Sequence, residues 1–299
     1  MKPYKPSGKA PLPGLIRIGL ATTLGNAIAG GLFHLLGRLI YVVLLFPMLM
    51  GATAGGLAFA ATYGGKIRNP IITILSGLLG GLVLYGGMHG ADYLQFRDRV
   101  ATELAGDSGS SNDGDTGRTV DQYLENTVGD TGFVGYLKHA AEEGVVIGKF
   151  GNEGINLGGT GSWVFWIVEL FVIELVAGAF AYGASTKAFC EECDQWYGND
   201  IKVGSVPPEQ ADAFLAALKN GSPHQAGALV GPMLGKIDGS LQVSKATCPP
   251  CPETSNTLLT VLKHHSDHKG KHYLSRRVTA LMVSPRDYQR FTQGMKQDN

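Results

Sequence analysis

The chain has 299 residues, 25 Lys and Arg against 25 Asp and Glu, and a mean hydropathy of +0.06. Such averages describe an ordinary soluble protein, but here they come from two unlike halves that cancel. Residues 1–90 carry seven Lys and Arg and no acid, residues 91–161 carry five basic against twelve acidic side chains, and Asp92 is the first acid of all. The long apolar runs of the first ninety residues exclude a simple globular chain.

A helix rises ~1.5 Å per residue and a bilayer core is ~30 Å thick, so one crossing needs roughly 20 residues. After a basic N-terminal tail, residues 1–17, the apolar run from Ile18 to Gly64 has 47 residues and should cross twice. Gly37, Arg38 and Pro47 mark the turn. The crossings expected in residues 18–90 are then about 18–36, 39–64 and 70–89, and a fourth follows at 162–183. Basic loops stay on the cytoplasmic side. Lys2, Lys5, Lys9 and Arg17 put the N-terminus inside, and Lys66 and Arg68 put the second loop there too. The acidic segment 91–161 then lies outside, and the fourth helix returns the chain to the cytoplasm. No cleavable signal peptide is evident, because the first apolar run continues into another. Gly51-x-x-x-Gly55, Gly77-x-x-x-Gly81 and Ala27-x-x-x-Gly31 are small-residue faces, suited to helix packing within one bundle or between protomers.

Within the acidic segment, residues 105–118 have no apolar side chain after Ala105 and read as a flexible loop. Its Gly106-Asp107-Ser108-Gly109 imitates a protease nucleophile without the surrounding scaffold, and is read as coincidence. Tyr93–Leu104 and Val120–Gly144 are expected as helices lying over the outer face. The Gly-rich stretch 148–161 is expected to be a tight turn back into the fourth span. Glu169 and Glu174 lie inside that span, where an ionisable group costs at least ~2.5 kcal/mol and must face protein or a watery cavity. Five residues apart, they point about 140° away from each other. They suit either a structural lock or proton or cation handling, with His34, Arg38 or His89 as partners.

The tail, 184–299, holds all four cysteines, as Cys190-x-x-Cys193 and Cys248-x-x-Cys251. Two-residue spacing lets both thiolates of a knuckle reach one metal, and two knuckles make a closed tetrahedral site. A cytoplasmic tail is reducing, which disfavours disulfides and favours structural Zn2+. A helix is expected from Ser205-Val206-Pro207-Pro208 to Gly221, and a second from Gln225 to Leu234. Two strands, Thr257–Lys263 and Tyr273–Val283, should form a zinc-ribbon-like hairpin around the turn 266–271, with a last helix after Ser284-Pro285. The basic turn, with Lys263, His264, His265, His268, Lys269, Lys271, His272, Arg276 and Arg277, suits anionic lipid or protein. Without interleaved aromatics to stack bases, nucleic acid is not the expected partner.

No P-loop, H-E-x-x-H, nucleotide fingerprint or nucleophile elbow occurs, and Gly144 to Lys149 lacks P-loop spacing, so no catalytic residue is assigned and an enzyme is not expected. Gly65-Lys66-Ile67-Arg68-Asn69, the Trp163–Glu169 segment and Phe189-Cys190-Glu191-Glu192-Cys193-Asp194-Gln195-Trp196 together carry a likeness. The chain resembles an uncharacterised group of bacterial polytopic membrane proteins with a short basic loop, a late Trp/Glu span and a Cys-rich cytoplasmic tail. The resemblance implies a bacterial inner membrane and metal at Cys190, Cys193, Cys248 and Cys251, and transfers no activity. The expected fold is a mainly α membrane protein of about four transmembrane helices with a small α+β zinc-ribbon-like C-terminal domain. The expected role is a membrane-anchored binding or scaffold subunit, bilayer-embedded and meeting a protein partner or a second copy. The alternative is a small transporter or channel using Glu169 and Glu174.

Overall fold

A computed structural model describes residues 1–39, 41–108, 113–147, 154–234, 237–266 and 273–295. The chain divides into two compact units, Gly8–Ser185 and Met1–Ser7 with Thr186–Asn299.

The first unit is helical. α1 (Leu12–Leu20) runs through a π-helical turn, Ala21–Gly25, into α2 (Asn26–Leu39). A π turn misaligns the helix carbonyls. Here the Asn26 amide donates to the Ala21 and Thr22 carbonyls at 3.0 and 3.2 Å, which is why polar residues sit in an otherwise apolar run. α3 (Leu45–Gly64) ends where Lys66 takes a left-handed φ of 52°. α4 (Pro70–Ser108) starts at an Asn-Pro boundary, with the Asn69 carboxamide oxygen accepting from the Ile71 and Ile72 N–H groups. The basic loop between them is tied to the N-terminal stretch: Arg17 donates to the Gly64 carbonyl at 2.6 Å, and the Arg68 N–H to the Lys9 carbonyl at 2.8 Å. α5 (Asp113–Val128) and α6 (Gly132–Glu143) follow, and then a two-stranded hairpin of β2 (Val146–Ile147) and β3 (Ile155–Asn156) leads into α7 (Gly158–Ser185).

Among the described residues four helices are long and apolar enough to cross a membrane: Leu12–Leu39, Leu45–Gly64, Pro70–Glu103 and Gly158–Ser185. The first, third and fourth cover the stretches expected from composition, whereas the second starts at Leu45, six residues later than expected. The first starts earlier, because Pro11-Leu12-Pro13 opens the helix instead of preceding it. Tyr93–Leu104 is no separate surface helix but the continuation of α4, since nothing in Asp92-Tyr93-Leu94 breaks the helix. Residues 105–108 and 113–118, expected as loop, are helical, and 109–112 lie outside the described residues. Of the tight turn expected over 148–161, residues 155–156 pair with β2 as β3 and 158–161 already belong to α7, while 148–153 lie outside the described residues.

Glycine sets the closest helix approaches. A Cβ at Gly51 would stand 2.6 Å from the Ile173 carbonyl, and one at Gly55 2.7 Å from that of Ala177, so α3 packs on α7 almost backbone to backbone. Gly77 meets Ala181 of α7 in the same way. Gly31, by contrast, faces open space, and its neighbour Gly30 carries the α2 contact with α4.

The second unit is α+β. β1 (Lys2–Pro3), the knuckle hairpin β4 (Phe189–Cys190) and β5 (Gln195–Trp196), β6 (Ile201–Val206), β7 (Leu241–Ala246), β8 (Thr257–Ser266) and β9 (Tyr273–Val283) supply the strands. The main sheet is antiparallel in the order β1-β9-β8-β7-β6. α8 (Ala211–Lys219), α9 (Pro223–Ala228) and α10 (Pro285–Met295) contribute Phe214, Leu218, Ala226 and Phe291 to one buried cluster with Val206, Val243, Val261 and Val283. The expected hairpin is present as β8–β9, but β7 and β1 flank it, so it is the centre of a sheet and not a free ribbon. The helix expected over Gln225–Leu234 stops at Ala228. Beyond it, the Gly231 and Ser205 N–H and carbonyl groups pair with each other, drawing the segment to the sheet.

Candidate metal centre

The two knuckles come from different stretches of the chain and meet beside the sheet. In the first, Phe189 pairs with Trp196 and Cys190 with Gln195, and the turn closes through Asp194 at φ 48°, a conformation an Asp tolerates. Phe189 and Trp196 pack edge to face behind it, ring centroids 5.0 Å apart. The second knuckle closes through the Cys251 N–H on the Cys248 carbonyl, with Ser255 bonding back to Cys251 by both its N–H and its hydroxyl. Tyr197 joins the two: its N–H reaches the Ala188 carbonyl and its hydroxyl the Asn256 carbonyl at 2.8 Å.

The four sulfurs of Cys190, Cys193, Cys248 and Cys251 lie within 4.8 Å of one another. Cys190 and Cys248 are buried, and Cys193 and Cys251 half-buried. With a Zn–S bond of about 2.3 Å, tetrahedral sulfurs stand ~3.8 Å apart, so the widest separations in the cluster need to close by about 1 Å, and Cys193 and Cys251 need to move apart, to enclose an ion. These four cysteines are close enough to hold a metal ion. Cys193 and Cys251 are also at disulfide distance, whereas Cys190 and Cys248 are not disulfide-bonded. That contact differs from the expectation for a reducing compartment. It joins one cysteine of each knuckle, with Cα atoms 7.0 Å apart, just beyond the range disulfides usually span. Burial, and then the neighbouring Cys190 thiol, push the Cys248 thiol up to about 11, and burial with the same thiols raises the Tyr197 hydroxyl. Without a cation Cys248 therefore favours its neutral thiol.

One supporting group is not visible from the cysteine spacing. Tyr4 accepts a hydrogen bond from the Phe189 N–H at 3.0 Å, while its own N–H donates to the Ala280 carbonyl. The N-terminal strand thus braces the first knuckle. Lys2, Tyr4 and Lys5 also line a groove of about 370 Å³ with Cys190, Glu191, Glu192 and Tyr197.

The remaining singled-out residues lie elsewhere. Glu169 is buried in the helical unit and accepts from the Tyr85 hydroxyl at 3.1 Å. Glu174 lies against Gly81, on a different face of α7, and its Oε1 is buried without a hydrogen bond among the described residues. His34 pairs not with either glutamate but with Asp92, at 2.6 Å. Arg38 is exposed and pairs with neither glutamate. His264 is buried against the Ser275 hydroxyl at 2.8 Å, whereas His268 and His272 lie outside the described residues. Asp92 and Tyr85 were not foreseen as partners, because one falls just past the expected end of a span and the other reads as a packing aromatic.

Fold and site together define a chain with four membrane-length apolar helices and a four-cysteine centre in a small α+β unit. No family model matches it, and no match is found among curated proteins or solved structures.

Proposed function

We propose that the chain is a four-span protein of a bacterial inner membrane, with N- and C-terminal segments joined in a cytoplasmic domain built around one structural zinc. Its role is that of a membrane-anchored binding or scaffold subunit. The single observation that carries this reading is the convergence of two C-x-x-C knuckles into one cluster of four sulfurs. An all-sulfur tetrahedral set selects Zn2+ or an iron–sulfur cluster among common metals, and four thiolates leave no coordination position open for catalysis. In a reducing cytoplasm the Cys193–Cys251 contact becomes two more thiolates for the ion. The likeness to bacterial polytopic proteins with a Cys-rich tail supports the same compartment.

The partner surface is argued from what the chain leaves uncovered. Gly31, Gly56 and Gly86 have open space where a Cβ would stand, so a second copy or another membrane helix approaches there. The cleft of Lys263, His265, Arg276 and Arg277 offers positive charge to anionic lipid heads. Purified full-length protein should contain zinc, and Cys248→Ser should lose both the metal and any co-purifying subunit while remaining in the membrane fraction. Retention of the subunit by a metal-free Cys248→Ser protein would refute the scaffold role of the domain.

A further inference from the structure

Four ionisable side chains and one tyrosine connect the edge of the helical unit to its interior. Asp92 on α4 is 34% exposed and bonds through Oδ1 to Nδ1 of His34 on α2 at 2.6 Å. Its other oxygen, Oδ2, stands 3.8 Å from Nδ1 of His89, one turn earlier on the same helix. The His89 ring meets the Tyr85 ring edge to face at 4.6 Å and the Trp166 ring at 5.4 Å. The Tyr85 hydroxyl, a further turn inward, donates to Oε2 of Glu169 on α7, which is 6% exposed. The hydroxyl also stands 3.4 Å from the Trp166 carbonyl.

A purely structural lock needs only the Tyr85–Glu169 pair. It gives no reason for two histidines to share one carboxylate between that pair and the open edge. No Lys or Arg among the described residues bridges to Asp92 or Glu169. The walls are otherwise apolar: Phe33 on α2, Phe46 and Met50 on α3, and Trp166 and Leu170 on α7 pack against Tyr85 and its neighbours. From α6, Tyr136 lies within the field of Asp92. The one titratable side chain of α3 is Tyr63, in its last turn.

We propose that His34, Asp92, His89, Tyr85 and Glu169 form a proton path that loads and unloads Glu169 from the outer aqueous phase. The step is a shift of protons with no change of oxidation state. In the protonated state the Glu169 carboxyl turns donor and gives its proton to the Tyr85 oxygen, Tyr85 releases its own to His89, and His89 gives one to Asp92. The Asp92–His34 pair passes one proton to water, leaving Glu169 as a carboxylate, and uptake reverses each transfer. Tyr85 and His89 touch only through their rings and His89 stands 3.8 Å from Asp92, so the path requires a water to enter at each of these two intervals. The proposal rests on the four helices crossing a bilayer, not on the zinc domain.

The test is infrared spectroscopy of the full-length protein in phosphatidylglycerol-containing liposomes, exchanged into D2O. The difference between wild type and Glu169→Gln should contain a protonated carboxyl stretch that shifts down as the proton exchanges. Tyr85→Phe keeps the ring and removes the hydroxyl, and Asp92→Asn keeps the shape and removes the charge. Each should slow that exchange on the order of 100-fold, the lower range for a positioned proton-transfer group. A wild-type Glu169 band that is missing or fails to exchange would overturn the path. So would exchange as fast in both variants as in wild type. Failed insertion is read separately, by maleimide labelling from outside the cell, so it cannot pass for a failed path.

Discussion

Lys2 stands opposite Met282, and Pro3 opposite Leu281, in the antiparallel pairing of β1 with β9. The first residues of the chain are therefore part of the same unit as its last hundred. A strand cannot pair through a bilayer, so whatever the apolar helices between them do, they must cross an even number of times. Four candidate spans meet that condition. Loss of the Tyr4 hydroxyl should weaken this unit without touching the spans. Tyr4→Phe removes the hydroxyl that the Phe189 N–H reaches, at a cost of about 1–2 kcal/mol. The knuckle segment around Cys190 should then become more sensitive to protease in detergent, while the fragment spanning α7 stays intact. Unchanged digestion kinetics would show that the N-terminal brace is dispensable.

Orientation is tested from the opposite face. Asn126 is exposed on α5, in the acidic segment between the third and fourth candidate spans. Asn126→Cys should react with a membrane-impermeant maleimide in intact cells, and the four native cysteines only after lysis and chelation. The reverse pattern would place the knuckles outside, in an oxidising compartment where the Cys193–Cys251 contact would be a stable bond.

Packing of α3 on α7 predicts a contrast between two glycines of one helix. Gly51→Val drives a side chain into the Ile173 backbone, and overpacking of this kind costs roughly 1–3 kcal/mol where the backbone can yield, and more where it cannot. Gly56 faces open space, so Gly56→Ala should stay within about 0.5 kcal/mol of wild type in the bundle itself. Thermal stability in detergent separates the two. If Gly56→Ala instead dissociates an oligomer at unchanged monomer stability, the uncovered glycines mark the partner face.

Much of this was readable from residue order. A span must be apolar over its whole length, and that property is local, so the four runs and the loop at Lys66–Arg68 stand out. The knuckles are equally local. The sheet is not: β1 is only Lys2–Pro3, and β6 is interrupted by Gly204 at a register shift, so only their distant partners make them strands. Glu169, His34 and His89 were legible as candidate partners, but Asp92 and Tyr85, which join them, were hidden for the same reason. The members of this path sit on α2, α4 and α7 and meet only when Gly30 and Gly81 allow those helices to approach.

Metal uptake should depend on pH with a definite sign. The Cys248 thiol is held up to about 11, above an ordinary thiol, so in the absence of metal it is protonated throughout the neutral range. Binding must displace that proton, and apparent zinc affinity should therefore rise with pH between 6 and 8. In the metal-free domain the sign reverses. The raised thiol adds stability that is fully present below the unfolded-state value and lost as pH climbs through about 11. Competition with a chromophoric chelator across this range measures the first effect, and an affinity independent of pH would exclude buried thiols as ligands.

The most direct measurement is the zinc content of the full-length protein, purified without added metal under reducing conditions, with thiol titration on the same sample. One zinc per chain, four thiols unreactive until a chelator is added, and loss of the metal in Cys193→Ser are the predicted results. A stably folded, metal-free protein whose four cysteines react freely would contradict the four-thiolate centre at Cys190, Cys193, Cys248 and Cys251.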